Sequence, residues 1–70
     1  MPLILAPLNK PMKVVKLLLD EKTKKHFENL GLGVNSSIEV ISSCGGNVII
    51  LVKESRIALD KDIASKIFVA

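Results

Sequence analysis

Aromatic side chains are nearly absent from this chain: it has no Trp, no Tyr, and only Phe27 and Phe68 among its 70 residues. Proteins that hold single-stranded nucleic acid use aromatic platforms on which bases stack, and two isolated phenylalanines do not make one. Cysteine is limited to Cys44, so no intramolecular disulfide can form, and a lone thiol fits a reducing compartment. Histidine is limited to His26, with no second His or Cys near it, whereas a tetrahedral metal site needs three or four such groups to meet. Nothing in the sequence sets a base beside Cys44 or a serine, as nucleophilic catalysis requires. No apolar run approaches the roughly 18 residues that a membrane-spanning helix needs; the longest, Val48 to Val52, has the length of a strand. Met1 to Leu8 is apolar but short, and Pro2 and Pro7 interrupt it, so it does not read as a secretory signal. The expectation is a soluble, cytoplasmic chain with no cofactor and no metal, which works by touching a partner.

Aliphatic residues and lysine are plentiful. Hydrophobic residues make up 49% of the chain, enough to build a core even though a domain this small buries only about 60% of its unfolded surface. The net charge is +3 and the pI near 9.3. Lys10, Lys13, Lys16, Lys22, Lys24 and Lys25 concentrate the basic residues in the first part of the chain. A solvated face explains them by default; a basic face also suits phosphates or an acidic protein surface.

The pattern predicts a single domain over residues 1–70, mainly β, with about five strands forming a small Greek-key-like barrel. Pro2, Pro7 and Pro11 keep the first dozen residues out of a helix, leaving Leu3, Leu5 and Leu8 as an irregular apolar lead-in. Met12 to Leu19 reads as the first strand. Lys22 to Leu30 reads as a short helix, with Thr23 as its cap and Thr23, Phe27 and Leu30 on one face. Gly31 stands where a helix closes through a left-handed residue, and Asn35 offers a second left-handed position. Ile38 to Ile41 and Val48 to Lys53 read as a hairpin around a turn from Ser42 to Asn47. Glu54 and Ser55 turn into a fourth strand, Arg56 to Leu59. Asp60 caps a helical turn through about Lys66, and Ile67 to Val69 closes the chain as a fifth strand. Phe27, Leu30, Ile38, Val40, Ile57, Leu59 and Ile67 are assigned to the core.

Three constellations invite a chemical reading. Cys44-Gly45-Gly46-Asn47 resembles a phosphate-cradling loop, but a P-loop leads into a helix carrying Lys and Ser or Thr, and here a strand follows. Asp20, Glu21, Asp60 and Asp62 sit at turn and capping positions, where helix ends account for them. Val48 to Val52 is apolar on both strand faces, so one set of side chains has no place in a single small core. Exposed contiguous apolar surface marks a contact site.

The assembled order of these pieces resembles the ferrous iron transport protein A (FeoA) family. The opening Met1-Pro2-Leu3 through Ala6-Pro7-Leu8-Asn9-Lys10, followed by Val14-Val15-Lys16-Leu17, is similar to that family's start. Lys24 to Leu32 is similar to its basic helix and Leu-Gly-aliphatic turn, and Arg56-Ile57-Ala58-Leu59, with Ala64, Ile67 and Val69, to its closing segment. Asn9 and Asn35 stand where the family commonly has glycine, and asparagine is the next most tolerant residue of a positive φ. The resemblance implies an SH3-like barrel and a cytosolic accessory role on the FeoB-type ferrous iron transporter, whose cytosolic part carries a GTP-binding domain. Contact with the membrane would then be indirect. The residues expected to meet the partner are Lys24, Lys25, Leu32, Ile49 and Leu51. The rival readings are a regulatory module like the C-terminal domain of iron-dependent repressors, and a small basic nucleic-acid-binding barrel. Self-association through the Val48 to Val52 edge is a further expectation.

Overall fold

The computed structural model describes residues 1–70. Five antiparallel strands form one sheet in the order β4-β3-β2-β1-β5. They are β1 (Pro11–Leu17), β2 (Ser37–Cys44), β3 (Asn47–Val52), β4 (Ser55–Leu59) and β5 (Ile67–Val69). Helix α1 (Glu21–Asn29) follows β1, and the one-turn helix α2 (Lys61–Ala64) precedes β5. This is the mainly β architecture expected, with one qualification: β4 and β5 do not pair, so the sheet curls without closing into a barrel.

The curl comes from two bulges. β1 pairs with β2 over Pro11–Lys13 and with β5 from Val14 to Leu17, and the β1–β5 register shifts between Val14 and Lys16. A second irregularity between Val40 and Ser42 bends β2 against β3. Extra residues at such points increase the local twist and let one strand serve two halves of a folded sheet. Asn9 and Asn35, with φ of 59° and 75°, lie in the left-handed region. Their amides then reach Val40 and Val14 carbonyls at 2.7 Å each, fastening both loops to the sheet.

Local chemistry moves several boundaries from where the sequence pattern puts them. The N-terminal segment is not wholly irregular: Leu3–Leu5 makes a single 3-10 turn behind Pro2, a position where proline's missing N–H costs nothing. Asp20, not Thr23, caps α1, its carboxylate accepting from the Thr23 amide at 3.1 Å. The β2–β3 turn is only Gly45-Gly46, both left-handed at φ 60° and 88°, so Ser42 to Cys44 remain in β2. Paired positive φ values are what a two-residue hairpin turn demands. The β3–β4 turn is Lys53-Glu54, one residue earlier than expected.

The Gly46 turn carries a testable consequence. A Cβ at Gly46 would stand 2.8 Å from Lys61 Cγ and 3.2 Å from Lys61 Cβ. Gly46→Ala therefore combines left-handed strain with a clash at the start of α2, and thermal or urea unfolding should show a loss of about 1–2 kcal/mol. Gly45, which has open space around its Cβ position, should lose less when changed to Ala because only the strain applies.

Fourteen apolar residues form the core, among them Leu3, Val14, Leu32, Val40, Ile50, Ile67 and Val69. Ile38, Val40, Leu59 and Ile67 are buried as expected, while Phe27 and Ile57 are half-buried and pack against the cluster. Leu30 is not in the core; it is 45% exposed. The reason lies in the helix end. The Gly31 amide bonds the Glu28 carbonyl and the Leu32 amide bonds the Phe27 carbonyl, the two bonds of a Schellman motif closed by Gly31 at φ 94°. That motif swings the residue after glycine back onto the helix, so Leu32 takes the core position and Leu30 faces out.

Candidate functional site

The interior offers no chemistry: every buried residue is apolar, and no buried polar side-chain atom lacks a partner. No group of three or more His, Cys, Asp or Glu side chains comes together that could hold a metal. Cys44 is exposed at the end of β2, and His26 is exposed on α1 with its ring 5.7 Å from that of Phe27.

Alternation along β3 sends Val48, Ile50 and Val52 into the core and leaves Ile49 and Leu51 on the opposite face. The register extends that face across neighbouring strands. Leu51 lies between Glu39 of β2 and Arg56 of β4, and Glu39 in turn lies opposite Pro11 of β1. Ile49 lies between Ser42 of β2 and Ala58 of β4. The result is a small aliphatic centre, Ile49, Leu51 and Ala58, flanked by one acidic and one basic side chain. Ile49 is 38% exposed and Leu51 half-buried, so neither is consumed by the core.

Beside this face runs an open groove of about 430 Å³, whose lining includes Pro11, Ser37, Glu39, Leu51, Lys53 and Gly31. Gly31 brings the end of α1 against β3: a Cβ there would sit 3.4 Å from Val52 Cγ1 and 3.6 Å from Lys53 Cε. The groove thus joins the sheet face to the C-terminal end of the helix.

Of the five residues expected to make contact, Ile49 and Leu51 share this face, and Lys25 is exposed on α1 with Lys24 half-buried beside it. The helix lysines and the sheet aliphatics are not brought into one cluster. Leu32 is a correction: it is 0% exposed and cannot meet a partner in the folded chain, for the Schellman reason given above. The Val48 to Val52 segment is also not an edge, because β3 pairs with β2 on one side and β4 on the other. The positions of Glu39 and Arg56 on either side of Leu51 follow from the strand register and are not legible in the sequence pattern.

Helix α1 is lightly held. None of its residues is fully buried, and Phe27 alone on it packs against the core. Its N-terminal cap matters correspondingly. Hydrogen bonding by Thr23, side chain first and backbone amide second, holds the Asp20 carboxyl below the ordinary aspartate range. A lowered folded-state pKa means the cap's contribution is complete above the ordinary aspartate range and is lost as pH falls through and below it. Amide exchange at Thr23 and Lys24 should accelerate in that acid window, and Asp20→Asn should remove the pH dependence while keeping an acceptor at the cap.

The FeoA domain family model matches residues 1–70. Among solved structures, an iron uptake regulatory protein, FeoA, superimposes with a TM-score of 0.86 at 26% identity, over 99% of this chain and 93% of that one. FeoA from Chlorobium tepidum gives a TM-score of 0.88 at 14% identity, over 99% of this chain and 68% of that one. T. acidophilum IdeR gives 0.82 at 22% identity; all of this chain aligns, to only 33% of that larger one. No curated protein matches the sequence.

Proposed function

The chain belongs to the FeoA domain family, and on that premise we propose that it is a cytosolic accessory protein of ferrous iron uptake, docking on the cytosolic part of a FeoB-type transporter and biasing its conformation. FeoA domains are small SH3-like accessory modules and not a known enzyme family. The observation that carries the reading is the outer face of β3, where Ile49 and Leu51 stay accessible between Glu39 and Arg56 while the core is complete without them. An aliphatic centre with charged flanks is the anatomy of a protein contact, in which apolar burial supplies affinity and the rim sets the register. The net charge of +3 favours an acidic partner surface. Docking can shift the transporter only by the difference in affinity for its two states, so the mechanism requires a contact made better in one state than the other.

Mapping the amide resonances of the labelled chain during addition of the transporter's cytosolic part tests the surface directly. Shifts should centre on Glu39, Ile49, Leu51 and Arg56. Shifts confined to residues distant from that face would assign the contact elsewhere.

The likeness to IdeR favours a second reading, a regulatory SH3-like module of the kind carried by metal-dependent repressors. In that case the same face would bind a DNA-binding module and leave the transporter untouched, which the same resonance mapping distinguishes.

A further inference from the structure

Charge is unevenly distributed along this chain. No Asp or Glu occurs from Met1 to Leu19 or after Asp62, while those two segments carry Lys10, Lys13, Lys16 and Lys66. Pairing of β1 with β5 brings the two segments together.

The register decides which side chains share the outer side of that pair. Leu17 lies opposite Ile67, and both are buried, so that row points into the core. One step back along β1, Lys16 lies opposite Phe68 on the outer side. One step on, Leu18 donates its amide to the Lys66 carbonyl at 2.8 Å; the ladder continues, and both of these residues are exposed. Val15 is the extra residue where the register shifts, and it turns out to solvent, as does Lys13 before it. The outer side of this half of the sheet therefore presents Lys13, Val15, Lys16, Leu18, Lys66 and Phe68, cations and apolar side chains with no acid among them. Leu18 is 50% exposed and Val15 47%, with Phe68 half-buried between them and the N-terminal segment. The nearest acids along the chain are Asp62, within α2, and Asp20, whose carboxylate is turned onto the Thr23 amide of α1.

We propose that this face binds directly to the surface of an anionic lipid bilayer, with the lysine ammonium groups among the headgroup phosphates and Leu18 and Val15 entering the boundary with the acyl chains. The make-up of the face selects lipid over other anionic occupants. Protein contacts are depleted of lysine and enriched in Arg, Tyr and Trp, none of which stands here. Bases of nucleic acid stack on open aromatic rings, whereas Phe68 is half-buried between Lys16 and Pro2. At a lipid surface both kinds of side chain are satisfied. The lysine stems lie along apolar surface with their heads in the phosphate layer, and the exposed aliphatics gain by leaving water. The contact is separate from the Ile49 and Leu51 face, which lies on β3, two strands away from β1.

Cosedimentation of the intact chain with vesicles of equal parts phosphatidylglycerol and phosphatidylcholine tests the proposal. Binding is expected at about 0.05 M salt, with loss at about 0.5 M as screening shortens the reach of the lysines. Vesicles of phosphatidylcholine alone should not bind. Lys16→Glu combined with Lys66→Glu should weaken binding roughly 25-fold or more, at about fivefold for each lysine lost. The charge-matched pair Lys25→Glu and Lys61→Glu, on the two helices that carry the chain's Glu21, Glu28 and Asp62, should weaken it far less. Leu18→Gln, which keeps the charge, should weaken vesicle binding about fivefold or more. All five positions are exposed, and urea unfolding of each variant checks that the fold persists. Vesicles hold no transporter, so this result stands apart from docking on FeoB. Failure of the wild-type chain to bind anionic vesicles at low salt, or equal losses from the two lysine pairs, would overturn the proposal. Undiminished binding by Leu18→Gln would also overturn it, since the face would then recognise charge alone, as a nucleic acid or an acidic protein supplies it.

Discussion

Leu32→Ala should destabilise the chain by about 3–5 kcal/mol, whereas Leu30→Ala, two residues earlier, should fall within about 0.5 kcal/mol of wild type. The contrast follows from the helix end. Leu32 is fully buried, held there by the hydrogen bond that its amide donates to the Phe27 carbonyl at 2.9 Å. Truncating it opens a cavity at the point where α1 is fastened, and α1 has no other fully anchored residue. A domain of this length has a total stability of roughly 4–10 kcal/mol by the usual per-residue range, so the loss threatens the folded state itself. Urea unfolding of both variants is the measurement. Equal costs at Leu30 and Leu32 would mean that the Schellman turn does not select which leucine enters the core.

The second large effect concerns binding without loss of fold. Ile49→Asp combined with Leu51→Asp should leave the chain folded and reduce affinity for the transporter's cytosolic part by more than tenfold. Both positions lie on the face turned away from the core, so the stability cost comes from lost surface contacts and from the poor strand propensity of aspartate. Asp at 51 meets Glu39 on one side and Arg56 on the other, and the opposed signs offset one another. Two new carboxylates in the aliphatic centre of a contact would be desolvated without partners, which is among the most costly changes an interface can suffer. Unfolding measurements on the double variant separate the two effects, since an affinity loss with unchanged stability belongs to the surface.

Much of the fold is legible in the residues. The continuous apolar run Val48 to Val52 marks β3, the capping aspartate marks α2, and Gly31 and Asn35 mark the left-handed positions that the backbone adopts. What is not legible depends on contacts distant in sequence. Leu30 and Leu32 are both aliphatic and both near a helix end; only the hydrogen bonds closing the Schellman motif decide between them. The β2–β3 turn is shorter than the polar run Ser42 to Asn47 suggests, because two consecutive glycines suffice to reverse the chain. The open sheet and the interior place of β3 follow from strand order, which local pattern does not determine. The aliphatic half of the candidate site, Ile49 and Leu51, could be read from a strand with apolar residues on both faces. Its charged flanks could not, because Glu39 and Arg56 are neighbours of Leu51 only through register.

The most direct test of the accessory role is calorimetric titration of the intact chain into the isolated cytosolic part of a FeoB-type transporter, with and without a GTP analogue. Saturable binding in at least one nucleotide state, weakened by the Ile49→Asp/Leu51→Asp variant, is the expected result. Absence of binding in both nucleotide states, with the chain folded and the transporter domain able to bind its nucleotide, would contradict docking on that part of the transporter.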